Sequence, residues 1–282
     1  MKNLFKVIYL TIILTTVNLT VAQNFKGKAI YQSKIKSEET DVEIKSEKDA
    51  EFEKAVQKEW EKVSQKTYSL SFNKTESLFE EEQKLEPVGQ SDSGMIISIT
   101  ISGDGKKYMN RKAQKQIFEG EIFEKKYLIT DELKNWDWQL KEETKKIGDY
   151  LCYKAEVVIQ VTAAQKEEYQ DYLKNKFKQK TNLFEMNEPQ NNIVTAWYTL
   201  EIPVNHGPDK YSGLPGLILE LNNGEVKFLC SKVVLNSEDK VKIKAPNAGK
   251  VLTQKEFDKE EKMKKDSMKD KDGNIIFRTF TN

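Results

Sequence analysis

Apolar residues alternate with polar ones along most of this chain. They fall into helical spacing in only three stretches, all heavily charged. "FKGKAIYQSKIK" (25–36) alternates loosely and predicts a first strand. "TYSLSFNKTESLFEEEQKL" (67–85) predicts two short strands about Asn73-Lys74, followed by a polar loop over 86–94. From Met95 to Ile129 the pattern predicts several short strands: "GMIISITIS", "KKYMNRKAQKQIFEG" and "EIFEKKYLI". A turn at Gly103-Asp104-Gly105 separates the first two. Residues 135–161 predict two more. In the second, Leu151, Tyr153, Ala155, Val157, Ile159 and Val161 share one face, and Cys152, Lys154, Glu156 and Gln160 share the other. The helical stretches are 47–66, with Phe52, Val56, Trp60 and Val63 on one side, then 163–180, then 253–270. Thr253 and Glu256 form a capping box at the start of the last. The expectation is an α+β domain: a curved, mainly antiparallel sheet, half-barrel in form, with about three charged amphipathic helices.

The stretch "YSGLPGLILELNNGEVKFLC" (211–230) is the most informative. Leu214-Pro215-Gly216-Leu217 fits a type II turn, with Pro215 presetting φ and Gly216 at positive φ. Asn223-Gly224 predicts a type I′ hairpin with a two-residue loop. That loop sets Leu221 against Val226, Glu220 against Lys227, Leu219 against Phe228 and Leu217 against Cys230. The odd positions of the first strand then make a wholly apolar face.

Charge and cysteine content narrow the class. The 282 residues hold 46 Lys+Arg against 45 Asp+Glu, which gives no electrostatic case for a nucleic-acid partner. "MKNLFKVIYLTIILTTVNLTVAQ" has Lys2 and Lys6, then an uncharged apolar run, then Thr20-Val21-Ala22. It reads as a signal peptide over 1–22 cleaved after Ala22, leaving no membrane span in the exported chain; the alternative is an uncleaved anchor. Residues 23–282 read as one domain, with an inserted segment at about 163–192. In an exported protein Cys152 and Cys230 are either a disulfide or two separate buried thiols. With one histidine in the chain, they build no common structural zinc site.

No catalytic constellation is legible: no nucleophile elbow, phosphate loop or metal-ligand cluster, and no cofactor is expected. "SGDGKK" (102–107) has neither the spacing nor the helix of a phosphate loop. His206 is the only histidine. The reading is therefore a non-catalytic binding protein. Its candidate surface is the loop from Ile202 to Gly216, stiffened by Pro203, Pro208 and Pro215 with Gly207, Gly213 and Gly216 around Leu214. Trp197, Tyr198, His206 and Tyr211 are the candidate contacts; the alternative is that these aromatics only cover the sheet edge.

"GLPGLI" at 213–218 lies within "AWYTLEIPVNHGPDKYSGLPGLILEL" (196–221), and upstream stand "IGDYLCYKAEV" and "DELKNWDWQL". These segments resemble the GLPGLI family of exported Bacteroidetes proteins, whose function is unknown. The resemblance rests on Gly148, Tyr150, Cys152, Lys154, Ala155, Trp197, Tyr198, Ile202, Pro203, Gly207, Pro208 and Tyr211; the helix at 163–180 departs from it. It implies a cell-envelope role, as an accessory to an outer-membrane TonB-dependent receptor or transporter. The alternative is a periplasmic half-barrel carrier of a lipid-like apolar ligand, which needs an open apolar face.

Overall fold

The computed structural model describes residues 25–35, 65–82, 105–122, 125–175, 187–236 and 242–267. The expected signal peptide, the expected helix at 47–66 and the expected strand about 95–102 lie outside the described residues, as do the later parts of the stretches 163–180 and 253–270.

Six strands follow one another as a meander: β1 (Lys26–Ile35), β2 (Thr67–Asn73), β3 (Glu76–Glu81), β4 (Lys107–Asn110), β5 (Lys115–Ile122) and β6 (Lys125–Glu132). A second meander holds β7 (Gln139–Ile147), β8 (Tyr150–Ile159), β9 (Asn192–Thr199), β10 (Leu217–Asn222) and β11 (Val226–Leu235). Helix α1 (Ala163–Asn175) is inserted between β8 and β9. The meanders join where β1 pairs with β11, and β12 (Lys250–Leu252) adds a parallel strand outside β6 before helix α2 (Gln254–Ser267). The result is one 12-stranded mixed sheet in the order β12-β6-β5-β4-β3-β2-β1-β11-β10-β9-β8-β7.

This corrects the expected α+β class with three helices. The fold is a large mixed β-sheet that does not close, with two helices among the described residues. The reason lies in the helices' own residues. No residue of α1 with a described side chain is buried, and α2 buries only Phe257, so neither forms a layer. Phe257 packs edge-on to Tyr127 at 5.5 Å and lies against Gly120, where a side chain would collide with its ring. The capping box forms, with Thr253 N–H donating to Glu256 at 2.8 Å and Glu256 N–H to Thr253 Oγ1 at 3.3 Å.

The sheet must also curl. Residues 133–138 connect β6, near one edge, to β7 at the other. Six residues reach roughly 25 Å, whereas ten strand spacings laid flat cover about 48 Å. Only a curled sheet brings those edges within reach. Its inner face carries the core of Ala29, Tyr31, Leu70, Phe72, Ala196 and Leu221, all completely buried. Phe228 of the second meander stands edge-on to Tyr68 and Phe79 of the first, at 5.7 and 5.8 Å.

Local signals act as their chemistry dictates, with one correction to register. Asn73 Oδ1 accepts from the N–H groups of Thr75 and Glu76, closing the β2–β3 turn. The β10–β11 hairpin is two residues looser than the Asn-Gly signal predicts: Leu221 faces Phe228 and Asn222 faces Lys227. Asn223 Oδ1 accepts from Glu225 and Val226 N–H, and Asn223 N–H donates to Val226 O, so a four-residue loop satisfies itself. A slip of two keeps Leu221 and Phe228 on the inner face; a bulge at Leu219 then brings Ile218, opposite Tyr198, to the same side, and Leu217, Ile218, Leu219 and Leu221 are all buried. Lys227 still reaches Glu220 at 3.1 Å, now diagonally.

The cysteines are both free. β9 and β10 separate β8 from β11, roughly 14 Å at the usual strand spacing, against about 4.4–6.8 Å between the Cα atoms of a disulfide. Burial pushes both thiols up to about 11. The expected result is therefore two thiols per chain that react slowly with a disulfide reagent at neutral pH and fully after unfolding. Finding no thiol in the unfolded, unreduced protein contradicts this arrangement.

Candidate functional site: the 202–216 loop

The loop leaves β9, crosses the inner face and returns as β10. Ile202 O receives the N–H groups of Val204 and Leu217, at 2.8 and 3.0 Å. Gly213 N–H donates to Asn205 O, Asn205 Nδ2 to Leu214 O, and Ile218 N–H to His206 O. The loop's own backbone thus supplies the partners that a buried loop needs. Ile202, Val204, His206, Gly207, Pro208, Asp209, Tyr211, Ser212, Leu214 and Gly216 are buried, while Pro203, Lys210, Gly213 and Pro215 are exposed.

The expected type II turn at 214–217 does not form, because Gly216 is not at positive φ; Gly213 is, at +102°. Gly216 is needed for a different reason. A Cβ there would stand 1.9 Å from Thr199 O, where the loop passes against the end of β9.

Side chains then tie the loop to the first meander. His206 Nε2 lies 3.0 Å from Asn73 O at the end of β2. A carbonyl only accepts, so Nε2 carries the proton. Asp209 pairs with Lys107 of β4, and Arg111 Nη1 donates to Ser212 Oγ at 3.4 Å. From the 133–138 connection, Trp136 and Trp138 donate their indole N–H groups to Lys210 O and Ser212 O, at 3.2 and 2.9 Å. Trp136 lies tilted against Tyr211 with ring centroids 4.7 Å apart, and Lys134 Nζ sits 4.0 Å from the Trp136 ring centroid. Tyr31 OH donates to Ile218 O at 2.7 Å.

The titrations follow from this packing. Burial raises the Asp209 carboxyl, but the Lys107 ammonium outweighs it and holds the group below the ordinary carboxylate value. Burial likewise pushes the Tyr211 phenol up. His206 is lowered to about 4, chiefly by burial and further by Arg111, against the hydrogen bond to Asn73. Its Nδ1 is buried with no partner among the described groups.

Because the folded pKa of His206 lies below the unfolded one, its contribution is complete above about pH 6.5 and is lost as pH falls toward 4. The expected loss over that window is about 3 kcal/mol. Urea melts at pH 7 and 5 on the wild type and His206→Gln check it: the variant should show a flatter pH dependence. Parallel curves contradict the assignment.

The four candidate contacts do not share a surface. Trp197 and Tyr198 are consecutive in β9 and point to opposite faces. Tyr198, His206 and Tyr211 are buried, and two tryptophans pack against Tyr211, so these three candidate contacts do not face solvent. Trp197 stands half-buried on the outer face. Lys145 Nζ lies 4.2 Å from its ring centroid and also 2.7 Å from Glu220, whose second oxygen takes Lys227. Burial raises the Glu220 carboxyl and the two lysines outweigh it, so its pKa is lowered. Lys107, Arg111, Asn205, Asp209 and Lys145 were not among the expected site residues. Lys107 and Asp209 lie 102 positions apart, and only the topology joins them.

Among the described residues no three histidine, cysteine or acidic side chains come together to hold a metal, and no helix is long and apolar enough to cross a membrane. A model of the family described as "Protein of unknown function (Porph_ging)" matches residues 138–220, from the start of β7 through this loop into β10. It carries that description rather than the GLPGLI name the motif suggests. No curated protein matches the chain. Two solved structures of PNGF-II are similar at 13% identity each: in the C2 space group with a TM-score of 0.47, covering 86% of this chain and 33% of that one; in the P21 space group with 0.46, covering 85% and 34%. The chain thus spans about a third of the length of those proteins. Over residues 138–220, this chain is similar to a family of unknown function.

Proposed function

We propose that the protein is a non-catalytic binding protein of the cell envelope, exported by its N-terminal segment and accessory to an outer-membrane receptor or transporter. The carrying observation is how the sheet divides the aromatic groups. Tyr198, His206 and Tyr211 are committed to the interior. Trp197 is left half-buried on the outer face, in one cross-strand row with Lys154, Glu220 and Leu229. Leu229 is 42% exposed. A tryptophan beside an exposed leucine, framed by ion pairs, suits the anchor of a protein contact. The non-catalytic reading is supported by the buried titratable groups: Asp209 has Lys107, Glu220 has two lysines, and His206 binds a backbone carbonyl. The envelope assignment rests on the signal-like N-terminus and the family resemblance. The carrier reading is not retained, because the 202–216 loop lies across the inner face it would need.

The test is crosslinking to outer-membrane receptors in cells carrying Trp197→Ala or Leu229→Glu. Leu229 is exposed, so its variant should keep the wild-type melting temperature. Both variants should lose the receptor crosslink; undiminished crosslinking in a folded Leu229→Glu protein overturns the proposal.

A further inference from the structure

We infer that the outer face of β1 and β11 is a docking surface for an extended acidic segment of a partner protein. This deepens the binding role proposed above and rests on it.

The chain as a whole is balanced, with 46 basic and 45 acidic residues. The two strands at the seam are not. β1 (KGKAIYQSKI) and β11 (VKFLCSKVVL) contain Lys26, Lys28, Lys34, Lys227 and Lys232 and no acidic residue. All five fall on one face. In β1 the lysines alternate with Ala29, Tyr31 and Ser33, which are buried on the inner side. In β11 the register shifts between Ile30 and Tyr31, leaving Ser231 unpaired. That shift carries Lys232 to the same side as Leu229 and Lys227.

The resulting rows are Lys28–Val234, Ile30–Lys232, Gln32–Leu229 and Lys34–Lys227. Lysines and apolar side chains therefore alternate along the seam. Like charges set directly opposite each other, as Lys34 and Lys227 are, destabilise a sheet. Lys28 is answered by Glu82 at 2.8 Å and Lys227 by Glu220 at 3.1 Å. Lys26, Lys34 and Lys232 have no ion-pair partner among the described residues.

The charge left unmet among the described residues calls for anions, and the pattern selects their arrangement. Alternate residues of an extended segment lie about 6.6–6.8 Å apart, the repeat on which this stripe presents its side chains. Carboxylates at every fourth residue can meet the lysines while apolar residues midway between them, on the same face of the segment, cover Ile30, Leu229 and Val234. An anionic lipid surface fits less well. Glu82, Glu220 and Glu156 share the outer face and would meet the same negative plane, whereas a narrow segment passes between them.

The experiment uses the full exported chain and a fluorescein-labelled synthetic peptide of Glu-Ser-Leu-Ser repeats, which sets glutamate and leucine alternately on one face of an extended segment. Binding is read by anisotropy at low salt. The peptide should bind, weaken at least tenfold between 50 and 300 mM salt, and weaken at least tenfold with Lys34→Glu/Lys232→Glu. Lys174→Glu, on exposed α1, should leave binding unchanged. Circular dichroism melts establish that the variants are folded.

No peptide binding, or equal binding by the charge-reversed variant, overturns the inference. So does binding of phosphatidylglycerol vesicles, but not peptide, that the charge reversal abolishes; the partner is then a lipid surface. A receptor crosslink that depends on Leu229 but not on Lys34 and Lys232 sinks the acidic segment and leaves the binding role standing. Peptide binding without any receptor crosslink does the reverse.

Discussion

Gly216→Ala should destabilise the protein by about 4 kcal/mol or more, lowering the melting temperature by roughly 10 °C. The added methyl would sit 1.9 Å from Thr199 O and 2.6 Å from Thr199 C. Both are backbone atoms in the last pair of the β9–β10 ladder, where Thr199 faces Leu217. They cannot move aside as a flexible side chain can. Relief requires parting that pair and the bond from Leu217 N–H to Ile202 O. Gly213→Ala is the control. Gly213 has φ +102°, yet its added methyl would find its nearest neighbours, on the Trp138 ring, 4.0 Å away. Backbone strain alone should cost about 1–2 kcal/mol. Thermal melts of both variants decide: equal losses would mean that conformation, not close approach, fixes glycine at 216.

Asp209→Ala should cost about 3 kcal/mol, the low end for breaking a buried ion pair. The Asp209 and Lys107 side chains are 11% and 20% exposed, so each charge is held largely out of water by the other. Removing the carboxylate strands the ammonium under the loop. Lys107→Met strands the carboxylate instead and should cost a similar amount. Asp209→Ala/Lys107→Met leaves neither charge, so it should be more stable than the sum of the single losses predicts. Urea unfolding of the three variants yields the coupling; strict additivity would show that the pair does not hold the loop.

Much of this fold was legible because its signals are local. Alternation marked the strands on either side of Asn73-Lys74, and Thr253 with Glu256 marked the start of α2. The hairpin near Asn223-Gly224 was legible as a place but not as a register: the side chains of Asn222 and Asn223 satisfy a longer loop as readily as φ satisfies a two-residue one. The fold class was not legible because helical spacing predicts a helix without telling whether it packs as a layer on the sheet. Of the described helices, α1 buries no described side chain and α2 only Phe257, too little to form one. The burial of the loop is not legible in the sequence for a nonlocal reason. Prolines and glycines mark a rigid loop, but they do not tell whether it faces water. Burial of 202–216 depends on strands more than a hundred residues earlier and on the curl imposed by the 133–138 connection. Gly216 illustrates the limit: the chain shows that glycine is there, and only the neighbouring Thr199 carbonyl shows why.

The central claim is that the 202–216 loop is an internal clamp between the two meanders. Native-state hydrogen exchange tests it most directly. The amides of Gly213, Leu217 and Ile218 donate to Asn205 O, Ile202 O and His206 O across the loop. They should exchange only through global unfolding, at the rate of the β1 and β11 amides paired at the seam. Exchange within seconds at these three positions, while β1 and β11 stay protected, would show an open loop and contradict the account.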